Sequence, residues 1–545
     1  MFHASSEFTP KLLTRLAEGY SWDDLRADSM AGLTVAIVAL PLSMAIAIAS
    51  GVGPERGLYT AIVGGFLVSL LGGSRFQIGG PAGAFIVLVA ACVLQLGLEG
   101  LILATLISGI FLTALGLLRA GTMVRFIPYP VTLGFTAGIA VIIFISQIKD
   151  LGGMTLAHDA PEVLDKLAEI WAARGTLSLA ALGLAAGVIG AIYGLRRWAP
   201  RAPSLLIAVA GASAFAWAAG LPVETIFDRF GDLPRTPPAP SLPSLAPSLI
   251  WAALPWALSF TLLGAIESLL SAVVADGMSG RRHRPNAELV AQGIANIGSA
   301  LFGGFCVTGT IARTATNVRA GARGPVAGML HALFVLLFLM IAAPLAGYIP
   351  LAALAAVLAV VAWNMAEKTE IWHLIRHSRA DTVVLAVTFL LVVFRDLSEG
   401  IVVGFALGGL LFISRMSDAA SQKVSIDPSE DADFGGLAVI RLHGPYFFGA
   451  AARIGGVLDS LAERPLGLGL DFSDVPFIDS TGANSVVLLA AKMARRGHRL
   501  YLTGLHPEVQ HALMQAGMAG LVTGAQTPPQ IVPDLDSLRS ALAVS

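Results

Sequence analysis

The fold is decided by the stretch Gly303-Gly304-Phe305-Cys306-Val307-Thr308-Gly309-Thr310-Ile311-Ala312-Arg313-Thr314. Its glycines interrupt an apolar segment, and an arginine follows just inside a new helical turn. An earlier stretch has the same layout of paired glycines, a short extended run, a further glycine and a helix start: Leu71-Gly72-Gly73-Ser74-Arg75-Phe76-Gln77-Ile78-Gly79-Gly80-Pro81-Ala82. Two interruptions at corresponding places in two halves of a membrane chain indicate a binding site between them.

Composition places this chain in a membrane. Of its 545 residues 55% are hydrophobic and 13% are charged, and the charged residues lie between long apolar runs. This pattern is typical of a polytopic α-helical membrane protein. Residues 1–28 carry charges without an apolar run, so we expect no cleavable signal peptide. The formal net charge of −1 argues against nucleic acid as a partner.

Fourteen apolar segments are predicted. Eleven have spanning length, at 30–48, 57–73, 99–118, 126–147, 176–195, 203–219, 255–275, 325–343, 349–366, 381–394 and 399–415. Three more are shorter or interrupted by glycine, at 81–95, 287–302 and 308–320. The loops after even-numbered segments hold about twice as many Lys and Arg residues as the others, so the positive-inside rule predicts that both termini are cytosolic.

A soluble domain is predicted after the last span. We divide the chain into a cytosolic segment 1–28, a transmembrane domain 29–416, a linker 417–433 and a C-terminal domain 434–545. The last part alternates strand-like and helix-like patterns, which predicts a small α/β domain. Its predicted helices cover 450–463, 481–496 and 507–516.

The interrupted segments predict an anion site. Non-helical backbone survives at membrane depth only where protein or a watery cavity satisfies its polar groups. Helices starting near Pro81 and Thr310 would direct free N–H groups and positive dipole ends into that cavity. Proline suits the first helical position, where its missing N–H costs nothing. Arg313 strengthens the prediction, because a cation beside a positive helix end requires a compensating negative charge. The alternative is that the glycines serve only close helix packing.

Glu267 is the candidate coupling group. It lies in the middle of an apolar span, where a carboxylate costs several kcal/mol unless it is paired or protonated. We expect the substrate and Glu267 to compensate the charge of Arg313, and protonation of Glu267 to respond to the face on which the site is open. The alternative is that Glu267 is a fixed structural partner of Arg313 or of a hydroxyl group.

Several motifs resemble the SulP sulfate-permease family over essentially the whole chain. They are Ala31-Gly32-Leu33-Thr34-Val35-Ala36-Ile37-Val38-Ala39-Leu40-Pro41, Gly57-Leu58-Tyr59-Thr60, Gly80-Pro81 and Asn317-Val318-Arg319-Ala320-Gly321-Ala322. Within the family, the DauA-type transporters of four-carbon dicarboxylates are similar at Gly72-Gly73-Ser74-Arg75-Phe76, Ala265-Ile266-Glu267-Ser268-Leu269-Leu270, Ile311-Ala312-Arg313 and Val361-Ala362-Trp363-Asn364-Met365. The tail resembles the STAS domain that SulP proteins carry.

This resemblance implies a seven-plus-seven inverted repeat in which a core domain, segments one to four and eight to eleven, moves against a gate domain. It implies a homodimer in a bacterial inner membrane. Glu267, with Ser271 one turn on, would couple transport to protons or Na⁺, and no other cofactor is expected. The implied substrate contacts between the half-helices are Gly80, Pro81, Ala82, Gly83, Gly309, Thr310, Ala312 and Arg313.

The substrate expected from this comparison is a small anion carried by secondary active transport. Many relatives have Thr or Phe after the proline of segment three and Ser in segment ten, where this chain has Ala82-Gly83 and Ala312. The smaller side chains favour succinate-like dicarboxylates ahead of sulfate and bicarbonate. Fewer hydroxyl groups could equally mean greater reliance on backbone N–H groups and Arg313.

The loop Asp479-Ser480-Thr481-Gly482 matches the loop phosphorylated in soluble STAS regulators. The simpler interpretation, which we favour, is that Ser480 or Thr481 caps the following helix. An exposed loop there would also suit a regulator, and the DauA-type resemblance implies acyl carrier protein as that partner.

Three other classes of function stay open: an uncoupled anion channel, a nucleobase permease, and a sensor whose role lies in the tail. The permease is disfavoured because those resembling it place a second carboxylate in segment ten, and none occurs between Gly309 and Val318. No nucleophile–base pattern or Cys/His metal spacing indicates an enzyme or a metal site.

Overall fold

The structure is a computed structural model that describes residues 7–122, 128–157, 160, 162–199, 202–395, 399–400, 402–411, 425–426, 437–444, 446, 467–525 and 527–543. The chain divides into two compact units, Met1–Phe405 and Ala406–Ser545. The first unit is almost entirely helical. Its helices, in chain order, are α1 (Lys11–Ala17), α2 (Trp22–Ala49), α3 (Pro54–Tyr59), α4 (Gly65–Leu71), α5 (Ile86–Leu117), α6 (Tyr129–Leu151), α7 (Val163–Ala172), α8 (Leu179–Trp198), α9 (Ser204–Ala218), α10 (Ile226–Phe230), α11 (Pro247–Ser279), α12 (Pro285–Leu301), α13 (Ile311–Arg319), α14 (Val326–Ala346), α15 (Leu351–Met365), α16 (Lys368–His377) and α17 (Arg379–Phe394).

Seven of the described helical spans are long and apolar enough to cross a membrane. One of them, Gly83–Leu117, contains two predicted segments, because Gly97 interrupts it with φ 67° and ψ −171°. The other predicted segments are shorter or broken helices: α3 and α4 joined by a π-helical turn at Thr60–Gly64, then α9, α12, α13, α17 and the described helix Val402–Leu411. The predicted fourteen-segment membrane architecture is confirmed.

The helices form two groups. In one, α5 packs against α11 and α12, and α2 packs against α13 and α14. In the other, α6 packs against α15 and α17, and α8 packs against α9 and α15. The first group contains the predicted segments one to four and eight to eleven. The second group contains the remaining segments. Contacts of α2 with α9 and α15 join them.

The two interrupted segments cross inside the first group. Strand β1 (Gly79–Gly80) pairs antiparallel with β2 (Thr308–Gly309), with Gly79 opposite Gly309. The chain leaves β1 into a short 3₁₀ helix, Gly83–Phe85, and then α5, whereas it leaves β2 into α13. Two helix starts therefore meet in the middle of the unit and face each other across the pairing.

The N-terminal segment is bound to the same group of helices. Lys11 donates its backbone N–H to the Gly72 carbonyl at 2.9 Å, and Arg284 donates to the Thr9 carbonyl at 2.7 Å. The guanidinium of Arg75 donates to the carboxylate of Glu18, with one of its two contacts at 2.7 Å. These bonds attach α1 to the start of the extended run that leads to β1.

In the second unit, the described strands form one sheet in the order β3-β4-β5-β6-β7. Only the pairing of β3 with β4 is antiparallel. The strands are β3 (Ser425–Ile426), β4 (Ala438–His443), β5 (Leu468–Asp474), β6 (Leu500–Thr503) and β7 (Gln530–Val532), and the described helices are Ser480–Arg495, Pro507–Leu513, Ala519–Gly524 and Leu535–Ala543, with a π-helical turn at Met514–Met518. The predicted α/β domain is confirmed, while the helix predicted at 450–463 lies outside the described residues.

The cap of the helix Ser480–Arg495 corrects one interpretation. Asp479 is its N-cap, and the Asp479 carboxylate accepts the Gly482 N–H at 2.7 Å. Ser480 and Thr481 already lie inside the helix, and both are exposed. Neither hydroxyl is needed as the cap, because a carboxylate at that position also complements the positive end of the helix dipole.

Replacing Glu18 with Gln should destabilise the protein in a pH-dependent way. The hydrogen bond from Arg75 lowers the pKa of Glu18 below its ordinary value. A lowered pKa means that the contact stabilises the fold above the unfolded value, about 4.3, and that this contribution is lost as pH falls through the lower folded pKa. Thermal unfolding in detergent should show a lower Tm for Glu18→Gln at pH 7, and the difference should disappear at acid pH. A difference that stays constant at acid pH would contradict this.

Candidate functional site

The two facing helix starts lack side-chain caps. Thr310 occupies the N-cap position of α13, but its hydroxyl donates to the Ile78 carbonyl at 3.2 Å and accepts no helix N–H. Ala82 precedes the 3₁₀ turn Gly83–Phe85 and has no polar side chain to offer. The first N–H groups of a helix have no acceptor within the helix. Both starts therefore leave backbone donors without a side-chain acceptor.

Polar side chains satisfy the extended backbone around β2. Asn296 on α12 donates to the Val307 carbonyl at 2.8 Å and accepts the Val307 N–H at 3.0 Å. The Thr60 hydroxyl accepts the Phe305 N–H at 2.9 Å, and the Ser299 hydroxyl donates to the Phe305 carbonyl at 2.7 Å. Because these partners belong to packed helices, the extended run has fixed hydrogen-bond partners inside the protein.

A matching set of bonds holds the run around β1. Asn317 donates to the Phe76 carbonyl at 2.9 Å, and Thr314 accepts the Ile78 N–H at 3.1 Å. The Gln77 amide donates to the Ser268 hydroxyl at 2.9 Å. The run around β1 is thus held by side chains of α13 and α11, and the run around β2 by side chains of α12 and by Thr60.

Glycine is required where the two strands cross. A Cβ on Gly80 would lie 2.2 Å from Nη1 of Arg313, and one on Gly309 would lie 1.6 Å from Nε2 of Gln77. A Cβ on Gly79 would lie 2.8 Å from side-chain atoms of Val68. Real Cβ atoms do not approach heavy atoms so closely, so the glycine pattern reflects close contact between backbone and side chains.

Arg313 is held behind the helix starts. Its side chain is 1% exposed, and Nη2 donates to the Ser43 hydroxyl at 3.0 Å and to the Pro81 carbonyl at 3.3 Å. Nε and Nη1 have no hydrogen-bond partner in the part of the chain that the structure describes. The guanidinium therefore lies against β1 and α2, where its charge acts on the space between the half-helices through the electric field. The three N–H groups on these two nitrogens are therefore without an acceptor among the described residues.

Glu267 is not the ionic partner of Arg313. Among the described residues no ion pair joins them, so the expectation of a compensating or fixed Glu267–Arg313 pair is wrong. Glu267 is 7% exposed and lies on the part of α11 that supports the interrupted segments. There, the Gly264 carbonyl accepts from Thr308 at 3.3 Å, and the Ser271 hydroxyl donates to Thr314 at 3.1 Å. Ser271 thus has a structural contact with α13.

The predicted substrate contacts come together at one place. Gly80, Gly309 and Thr310 are buried at the crossing, whereas Ala312 is exposed. A Cβ on Gly83 would meet only Ile143 of α6 and Met365 of α15, both at 3.6 Å. The helix start at Gly83 therefore faces the second group of helices.

Pro81 does not occupy the position we predicted for it. The 3₁₀ turn begins at Gly83, and its N-cap Ala82 is extended, so Pro81 lies two residues before the helix. Its carbonyl accepts a hydrogen bond from Arg313. Proline therefore fixes the extended approach to the helix, where the absence of its N–H also removes a donor that would need a partner.

Sequence reasoning missed the residues that hold the broken backbone, namely Thr60, Gln77, Asn296, Ser299, Thr314 and Asn317. The signal was present in α12, where Gln292, Asn296 and Ser299 follow one helical face within an otherwise apolar segment and are all buried. Buried amides at membrane depth need partners, and unpaired backbone nearby supplies them.

The comparisons with known proteins agree with this architecture. Residues 25–388 match the Sulfate permease family, and residues 430–536 match the STAS domain. YvdB of Bacillus subtilis, whose name assigns it provisionally to sulfate transport, is 38% identical over 511 residues, covering 92% of this chain and 95% of YvdB. The bicarbonate transporter BicA of Picosynechococcus is 27% identical over 514 residues, covering 90% of each chain.

Solved structures show the same fold. The murine anion transporter Slc26a9 in the inward-facing state superposes with a TM-score of 0.86 at 18% identity, covering 100% of this chain and 96% of that one. The transmembrane domain of a cyanobacterial BicA gives a TM-score of 0.63 at 28% identity, covering 71% of this chain and 98% of that one. This chain therefore belongs to the sulfate permease family. It is a multi-pass anion transporter with a STAS domain, not an enzyme.

The Gly80→Ala variant should lose transport and stability, because the new Cβ would collide with Nη1 of Arg313 at 2.2 Å. Overpacking of this kind costs about 1–3 kcal/mol. Gly83→Ala is the matched control for folding, since its Cβ meets ordinary contacts at 3.6 Å. Thermal unfolding in detergent should separate the two. A Gly80→Ala protein as stable as Gly83→Ala would contradict the close contact.

Proposed function

We propose that this protein is a secondary active transporter that carries a small oxyanion between the opposed helix starts at Ala82 and Thr310. The observation that carries the proposal is that both starts lack side-chain caps and that the pairing of β1 with β2 brings them together. Each start contributes roughly half a positive charge from its helix dipole, and Arg313 adds a full charge behind them. An anion would be stabilised there by backbone N–H groups, as at other helix termini.

Sulfate and bicarbonate are our first candidate substrates, since they are the anions in the names of the relatives. Four-carbon dicarboxylates such as succinate, the substrates of the DauA-type transporters, are the second candidate. They are favoured by the small side chains of Ala82 and Ala312, which leave space beside the helix starts for a longer solute.

We propose that Glu267 couples transport to protons or Na⁺. Its carboxylate lies in the apolar interior and has no ion-pair partner among the described residues. A carboxylate in that environment is costly while it is charged, so it would take up a proton or a sodium ion as the anion binds. Ser271 would contribute by holding α13 in place through Thr314.

The motion we propose is elevator-like. The helix starts, Arg313 and Glu267 all belong to the group formed by α2–α5 and α11–α14, while Ile143 and Met365 belong to the other group. Sliding the first group along the second would carry the bound anion across the membrane. Because Gly83 lies against Ile143 and Met365 of the other group, this arrangement favours alternating access over a static channel.

For the remaining parts of the protein, we propose a homodimer in the lipid of a bacterial inner membrane, with both termini in the cytosol. In the tail, the hydroxyl groups of Ser480 and Thr481 are exposed at a helix N-terminus, where a phosphate would be favourably placed. A regulator or acyl carrier protein would dock on the same loop.

Uptake into liposomes of sulfate, bicarbonate and succinate, under imposed proton or Na⁺ gradients at two pH values, tests the function. We expect saturable uptake of at least one anion that an ion gradient stimulates. The Glu267→Gln variant has no ionisable side chain at position 267. Its uptake should therefore fall about tenfold, and stimulation by an ion gradient should be lost. Glu99→Gln, at an exposed position after Gly97, is the matched control and should behave as wild type.

No uptake of any of these anions would overturn the proposed function. Uptake that does not saturate and continues in Glu267→Gln would identify an uncoupled channel instead.

Deleting residues 421–545 tests whether the tail carries the function. We expect uptake to persist at a rate within a fewfold of wild type, because the proposed anion site lies wholly within the first unit. Membrane insertion of the shortened chain must first be checked by detergent extraction and gel filtration. Complete loss of uptake by a correctly inserted protein would favour a role located in the tail.

A further inference from the structure

The helix α16 connects two membrane spans of the second group of helices. α15 ends at Met365, α16 covers Lys368–His377 and α17 begins at Arg379, so the connections are two residues and one residue long. The chain turns in both connections, where Glu367 has a φ of 28° and Ser378 is extended with a φ of −144°. α15 runs towards this membrane face and α17 runs back from it, while a ten-residue helix is about 15 Å long. α16 is therefore confined to that face of the membrane.

One side of α16 is apolar, and part of that side is uncovered in the part of the chain that the structure describes. Ile371 and Leu374 are partly buried, and α16 packs against α6 and α17. Trp372 and Ile375 lie on the same side but are 56% and 43% exposed. His373 lies on the opposite side of the helix, because successive residues are about 100° apart around its axis. The exposed pair forms an apolar edge at the membrane face.

Two cations flank the exposed indole ring of this edge. Lys368, Trp372 and Arg376 follow each other at intervals of four residues, which places them in one row along the helix. The guanidinium of Arg376 lies over the ring of Trp372, at 4.5 Å from its centre. Glu370 lies on the far side of the helix, where it accepts a hydrogen bond from the hydroxyl of Tyr129 at 3.5 Å. The apolar edge therefore carries positive charge, and the carboxylate of the helix is turned away from it.

Three aromatic side chains with polar groups are exposed at this face. Trp372 belongs to α16, Trp363 lies near the end of α15, and Tyr129 is the first residue of α6. The ammonium group of Lys368 lies over the ring of Trp363, at 4.0 Å from its centre. Trp and Tyr are enriched where a membrane meets water, because one end of the side chain is apolar and the other is polar. Their placement indicates that this face of the second group lies at the level of the lipid headgroups.

We propose that α16 is an interfacial helix, which inserts Trp372 and Ile375 among lipid acyl chains and binds the phosphates of anionic phospholipids with Lys368 and Arg376. Helices with Trp and aliphatic residues beside cations bind with their apolar face about 5–10 Å into the boundary between headgroups and acyl chains. A cation over an indole ring fits this boundary, since the ring enters the apolar layer while the charge stays among the phosphates.

The bilayer is the partner that the surroundings of α16 supply. α17 begins one residue after α16, and its exposed Val383, Leu390 and Phe394 form one stripe along a membrane span. Lipid that covers this stripe reaches the first turns of α17, next to the end of α16. The apolar edge of α16 therefore adjoins a surface that lipid covers.

Lipid bound to α16 would hold the second group of helices at a fixed depth, because α16 packs against α6 and α17. The first group would then slide against an anchored partner, a consequence that rests on the elevator-like motion proposed above. In the proposed topology this face is cytosolic, where anionic lipids give the leaflet a negative surface potential. The lipid contact itself does not depend on transport.

The test places a fluorescent probe on each side of α16 in the full-length protein. Ile375→Cys and His373→Cys are labelled with bimane, and the unsubstituted chain is the blank because the native Cys92 and Cys306 are buried. The labelled proteins are reconstituted in nanodiscs of phosphatidylcholine whose acyl chains carry bromine near the glycerol. Bromine quenches on contact, so emission at position 375 should fall about threefold, whereas emission at position 373 should fall by less than about a fifth.

Anionic lipid should draw the apolar edge deeper. Replacing about a third of the lipid with phosphatidylglycerol should increase the quenching of the probe on Ile375→Cys by roughly half. Adding Lys368→Gln/Arg376→Gln should abolish this increase, and adding Lys368→Arg/Arg376→Lys should retain it. Arg281→Gln/Arg282→Gln removes the same charge from the loop after α11 and is the matched control, in which the increase should also remain.

Equal quenching at both positions would overturn the interfacial orientation. So would an absence of quenching at position 375, the result expected if the C-terminal domain or a second copy covers α16. An increase with phosphatidylglycerol that persists in the double Gln variant would overturn the binding of anionic headgroups. The single variants Lys368→Gln and Arg376→Gln, each expected to lose about half of the increase, decide the question if the double variant fails to fold. Because no outcome depends on uptake, the proposed transport function is tested separately.

Discussion

Backbone N–H and C=O groups inside a membrane must find partners within the protein, and the rest of this structure depends on how two broken segments meet that demand. Around β2 the partners are Asn296, Ser299 and Thr60. Around β1 they are Asn317 and Thr314. Because each run borrows partners from helices packed around it, the crossing of β1 and β2 is part of the packed interior. At the two helix starts, by contrast, no side chain accepts the first N–H groups.

The placement of charge follows from the same constraint. Arg313 is anchored to Ser43 and to the Pro81 carbonyl, with Gly80 leaving the room its guanidinium needs. Glu267 lies on α11, and among the described residues no ion pair joins it to Arg313. Separating the two charges matters physically, because a direct pair would cancel the positive field that the helix starts and Arg313 jointly create. In the proposed anion site, keeping the acid and the base apart would preserve the attraction for anions.

Much of the fold was predictable from sequence, since the apolar runs and the repeated glycine pattern mark the spans and the crossing. What the sequence could not show was which polar groups meet in space. Gln77 and Ser268 are 191 positions apart in the chain, yet they share a hydrogen bond. The sequence predicted Pro81 as the first helical residue, but Ala82 is extended and the helical turn begins only at Gly83. We predicted Ser480 or Thr481 as the helix cap, but the cap is Asp479. Aspartate is as favourable as serine at an N-cap, so the sequence alone does not distinguish the two.

The absence of polar side chains at the helix starts has a consequence for how substrate preference can change among proteins of this fold. At Ala82 and Ala312 the side chain ends in a methyl group, so in the proposed site the anion would be recognised by backbone groups that every sequence shares. Exchanging one of these methyl groups for a hydroxymethyl would introduce a new donor and leave the packing of the crossing and the net charge intact. Preference among solutes can therefore drift through single codon changes while the architecture that moves them is inherited unaltered.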